Sequence, residues 1–199
     1  MSWTAKAAAV AVVALASLGI NDTVPGDVAL LLLLLALAVA WRSVRGFWRI
    51  VVSGLVGGAV AGLLILGPGF RLAMRAVAIM DPGHPQEFTV GGTLFIIVGV
   101  GAILGGVTAA TAHLFRRAFA IESAVTAGAL LAAVEMTKLT FLSGEVSDEL
   151  FQLGISPWIN IPLFGLITLG YGIGAMAIAD KAESAMFSSK SKEREKVPA

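Results

Sequence analysis

Arg71 and Arg75 are the first residues in this sequence with the means to do chemistry, four positions apart just after Gly67-Pro68-Gly69. On a helix that spacing puts both on one face. A paired guanidinium face can grip a carboxylate, a phosphate or a lipid headgroup in bidentate fashion. The plainer use is structural: the two side chains snorkel to a membrane surface, pair with Glu87 or Glu135, or contact a partner protein. Glu135 and Lys138 form a second candidate pair, three residues apart and so able to share a helix face. Inside a membrane they are costly unless paired or facing a polar interior, which makes them candidates for an internal route. If the helix instead ends near Glu135, both lie among headgroups. Glu122 follows Arg116 and Arg117 closely, the pattern of an ordinary interfacial ion pair.

Other chemistries drop out. There are no cysteines, which excludes disulfides, thiolate nucleophiles and cysteine-bound clusters. His84 shares a loop with Asp81 and Glu87, but two prolines interrupt that set and the remaining histidine, His113, is far along the chain. No metal site and no cofactor are expected. The phosphate-binding loop, the dinucleotide fingerprint, HExxH and the serine nucleophile elbow are all absent, and nothing frames Ser53 as a nucleophile. A net charge of +1 gives no reason to expect nucleic acid. The sequence therefore reads as a non-enzymatic membrane component or subunit. The alternative is a small-solute or lipid-related transporter or channel using the arginine pair as its binding group.

The elements that must carry these residues are helices in a membrane. Of 199 residues, 57% are hydrophobic and 14% charged, with mean hydropathy +0.89; a soluble domain has about a quarter charged residues. The expected fold is an all-α, polytopic transmembrane bundle. Its spans lie near 1–20, 28–41, 49–67, 91–113, 121–142 and 158–179, six in all, or five if the first is a cleaved signal. Residues 70–80 form either an interfacial helix or a kinked continuation of the third span. Residues 1–180 make one transmembrane domain, and 181–199 a charged, disordered cytoplasmic tail. With the N-terminus inside, the inner segments collect Lys6, Arg42, Arg45, Arg49, Arg116, Arg117 and the basic residues of the tail. The outer ones hold only Arg71, Arg75 and Lys138. Both termini are then cytoplasmic in a multi-pass plasma-membrane protein. Gly58-x-x-x-Gly62 and Gly101-x-x-x-Gly105 each clear one helix face for close packing, within the chain or in a homo-oligomer. Membrane lipids and a possible membrane-protein partner complete the expected company.

The run Gly67-Pro68-Gly69-Phe70-Arg71-Leu72-Ala73-Met74-Arg75, followed by Glu87-Phe88-Thr89-Val90-Gly91-Gly92-Thr93-Leu94, resembles uncharacterised multi-pass membrane proteins of actinobacterial type. The likeness covers roughly residues 50–117. It implies that the arginine pair and the Glu-Phe-x-x-Gly-Gly-Thr entry to the next helix belong together, and it implies no mechanism. Physically, an Arg71/Arg75–Glu87 clasp would tie one helix to the next around their loop.

Overall fold

A computed structural model describes residues 3, 6, 7, 11, 38, 39, 41, 46–80, 89–137 and 157–194. Helix α1, Phe47–Met80, starts after Gly46, whose φ of 73° suits a residue without a Cβ. It is α-helical to Ala61, widens into a π turn over Gly62–Leu66, and resumes as Gly67–Met80. Gly67-Pro68-Gly69 thus fails to end the helix. In the wider turn the Gly67 N–H reaches back to the Gly62 carbonyl. The chain is therefore already off the ordinary ladder when it meets a proline that has no N–H to give. Of the two readings for residues 70–80, continuation of the span is the one observed.

Helix α2, Val90–Phe119, is capped by Thr89, whose hydroxyl accepts from the Gly92 N–H at 3.0 Å. It carries a second π segment, Phe95–Leu104, and stops where Ala120 turns left-handed at φ 55°. Helix α3, Ala124–Thr137, begins with the Ser123 hydroxyl accepting from the Thr126 N–H at 3.2 Å. Helix α4 is the longest, Pro157–Arg194, with Pro157 at its first position where a missing N–H costs nothing.

In space the order is α2, α1, α4, α3: α1 packs on both α2 and α4, and α3 lies along α4. Small residues set this order. Gly54, Gly58 and Gly62 form one ridge of α1, and a Cβ on Gly54 would come within 2.6 Å of the Ala110 Cα. On Gly58 it would overlap the Gly105 carbonyl, and on Gly62 that of Gly101. Gly57, on another face, meets α4, where a Cβ would lie 2.5 Å from the Ala175 oxygen. Gly128 of α3 and Gly172 of α4 approach each other in the same way. The core consists largely of alanines, Ala61, Ala109, Ala127 and Ala175, around Tyr171 and Met176. Lipid offers no hydrophobic drive for helix association, so such backbone-to-backbone contact supplies the attraction.

The six-span, N-in/C-in architecture is corrected. Among the described residues there are four helices, and three are long and apolar enough to cross a membrane: Phe47–Met80, Val90–Phe119 and Trp158–Met186. Helix α3 is about 20 Å long at the α-helical rise, against about 30 Å of hydrocarbon. The spans expected near 1–20 and 28–41 lie outside the described residues apart from isolated positions, as does the end of the fifth beyond 137. The orientation rested on that count and falls with it. The last helix also runs past its expected end near 179, continuing to Arg194. The chain is an all-α, multi-pass membrane protein.

Candidate functional site: a charged clamp between α2 and α4

Helical spacing places His113, Arg116 and Arg117 on one face near the C-terminus of α2, where positive charge also complements the helix dipole. Asp180 and Glu183 stand three apart on α4 and face them. Arg116 is only 6% exposed and uses its whole fork. Its Nη1 donates to Asp180 Oδ1 at 2.7 Å, its Nε to the Ile121 carbonyl at 2.9 Å, and its Nη2 to the Glu122 carbonyl at 2.5 Å. One side chain thus ties together α2, the turn after it and α4. Arg117, half exposed, donates to Glu183 Oε2 at 2.5 Å and lies 3.8 Å from Asp180. His113 is fully buried, with Nε2 3.3 Å from the same Glu183 oxygen. An ionised carboxylate there requires the proton on Nε2. The opposite nitrogen, Nδ1, is buried without a hydrogen-bond partner among the described residues.

His113, Asp180 and Glu183 bring metal-ligand atoms within 4.8 Å of one another. Each carboxylate, however, already has a guanidinium bound to it. Two positive charges are already paired with these carboxylates, so the arrangement serves as an ion-pair clamp. The sequence reading paired Arg116 and Arg117 with Glu122. Only the Glu122 backbone takes part, and the acidic partners come from α4. The signal for them was the i, i+3 spacing of Asp180 and Glu183 right after an apolar run, a spacing that matches the basic face of α2.

A neutral polar contact ties α2 to α4 deeper in the bundle. The buried Tyr171 hydroxyl donates to the Gly105 carbonyl at 2.5 Å and lies 3.0 Å from Thr108 Oγ1. Glu135 is half-buried on α3. Its expected companion Lys138 is outside the described residues.

At the far end of α1, Arg71 reaches the start of α2. Its Nε donates to Thr93 Oγ1 at 3.0 Å and an Nη2 to the Thr89 carbonyl at 3.4 Å. Arg75 is exposed. Glu87, the third member of the expected clasp, lies outside the described residues, as do Asp81 and His84. Of the glycines singled out by spacing, Gly58 meets Gly105 and Gly62 meets Gly101, so the two faces lie against each other within one chain. No protein-family model, curated protein or solved structure matches the chain. What its own residues establish is a membrane-embedded helical bundle in which ion pairs, one of them on the buried Arg116, join one helix to another.

Proposed function

We propose that this protein is a non-enzymatic component of the plasma membrane, a subunit or scaffold rather than a catalyst. The observation that carries this reading is how the ionisable side chains at the α2–α4 junction are used. Arg116, Arg117, Asp180 and Glu183 are spent on one another, and a reacting group needs a position open to substrate. The interior favours the same reading, because helix backbones touch along the Gly54–Gly58–Gly62 ridge and at Gly128 and Gly172. Backbone in contact with backbone builds rigidity and leaves little width for a conduit.

Transport of a small solute or lipid is the second reading. It would use Glu135, a carboxylate that is half-buried on α3. Native mass spectrometry of the protein gently extracted from its own membrane separates the two. A stoichiometric protein companion is the expected result. Recovery without a companion, together with a small solute that is lost in Arg71→Ala and Arg75→Ala, would transfer the assignment to transport. Fractionation of the cell's membranes tests the plasma-membrane placement.

A further inference from the structure

We propose that the α2–α4 clamp is a proton-sensitive latch, closed while His113 is neutral and released when that ring takes up a second proton. Hydrogen bonding is the first argument. With Glu183 ionised, His113 holds its one proton on Nε2, 3.3 Å from Glu183 Oε2. A second proton can go only to Nδ1, which is buried and has no acceptor among the described residues. A buried donor left unpaired is costly, and a charged one more so.

Charge is the second argument. Arg116 and Arg117 already balance Asp180 and Glu183, so the clamp is neutral only while His113 is neutral. The attraction of Glu183 for a charged ring is largely offset, because its Oε2 also holds Arg117. The other packed elements bring no further anion to the ring. The buried residues of α1 at this end are Phe47, Ile50 and Ser53, and Arg49 is exposed. Glu122, before α3, is exposed and contributes its backbone to the clamp. Lys181 of α4 is exposed as well, and Lys6 lies over the Phe119 ring.

Position is the third argument. The contacts Gly62–Gly101, Gly58–Gly105 and Gly54–Ala110 run along α1 and α2 in opposite directions. His113 therefore stands level with Ile50 and Arg49, where the uncharged stretch of α1 from Ile50 to Phe70 ends and protons from water can arrive. On α4, Ala179 is the last residue seated against Gly57. Beyond it Asp180 and Glu183 carry the bonds to α2, and Ser184, Ala185 and Met186 are exposed. The latch thus holds about the last four turns of α4, Asp180 to Arg194.

The test is hydrogen exchange on the purified full chain in detergent, at about pH 7.5 and about pH 5.5, a window in which an ordinary histidine titrates and carboxylates stay ionised. Opening is read as the protection factor of amides 181–186, after division by the intrinsic exchange rate at each pH. If the closed latch takes no proton and the open one takes it near pH 6.5, closure is favoured above that pH and lost below it. Protection should then fall about tenfold between the two conditions. His113→Gln keeps a donor for Glu183 but cannot titrate, and its protection should be the same at both. If that variant does not fold, His113→Met, of similar bulk, serves for the same comparison. Equal protection in the wild type at the two pH values would overturn the proposal. A fall of the wild-type size in the variant would overturn it too, by assigning the effect to another group.

Discussion

Arg116 on α2 and Asp180 on α4 meet at 2.7 Å, 64 residues apart in sequence, with the guanidinium almost entirely buried. Breaking such a pair from one side strands the other members of the network. Arg116→Ala should lower unfolding stability in detergent by about 3 kcal/mol. Arg116→Lys should recover little, because an ammonium cannot reach Asp180, Ile121 and Glu122 together. Thermal melts read both. A double-mutant cycle with Asp180→Asn should show strong coupling, and additive losses would contradict the clamp.

Divalent metal should matter little to that cluster, since its two carboxylates already hold guanidinium groups. Treating the purified protein with a chelator should move the thermal midpoint by less than about 1 °C. A drop of several degrees, reversed by adding zinc, would show instead that a cation displaces Arg117.

Two glycines on neighbouring helices should respond in opposite directions. Gly62→Ala puts a methyl group into the Gly101 carbonyl and should abolish folded protein or cut the midpoint sharply. Gly91→Ala meets nothing within 4 Å in the first turn of α2. It should be neutral or stabilising by about 0.5 kcal/mol. Expression and size-exclusion profiles of the pair are enough to check this.

Tyr171→Phe removes the donor to the Gly105 carbonyl but keeps the ring that fills the core. Hydrogen bonds between membrane helices are modest, so the expected loss is about 0.6–1 kcal/mol. A loss several times larger would mean that Tyr171 anchors more than its two hydrogen-bond neighbours, Gly105 and Thr108.

Arg71→Met should weaken the junction of α1 with the start of α2 by about 1 kcal/mol, through loss of its bonds to Thr93 and Thr89. Thr93→Val should lose less, because the Thr89 carbonyl bond survives. Hydrogen exchange at the first turn of α2 should rise in both variants, more in Arg71→Met.

Membrane character was legible because it depends on composition and run length, which are local. The packing faces at Gly58/Gly62 and Gly101/Gly105 could be marked for the same reason, yet nothing local says that Gly62 meets Gly101. The length of the helix from Phe47 to Met80 was hidden because Gly67-Pro68-Gly69 looks like a stop, and a π turn that carries a helix past it leaves no compositional trace. The continuation of α4 was hidden in another way. Asp180 and Glu183 look like the start of a solvated tail, and the arginines that hold them in a helix are more than 60 residues away. The acidic half of the clamp could not be assigned without tertiary structure.

The π turn at Gly62–Leu66 also fixes the rotational phase between the two halves of α1. A π turn holds one more residue than an α turn. Winding the same residues as ordinary α-helix would leave Gly54 and Gly58 seated on α2 but swing everything after the turn by up to about 100° around the helix axis. Arg71 would then point away from Thr93. The glycine ridge and the arginine end of α1 keep their separate partners only because that turn is overfull.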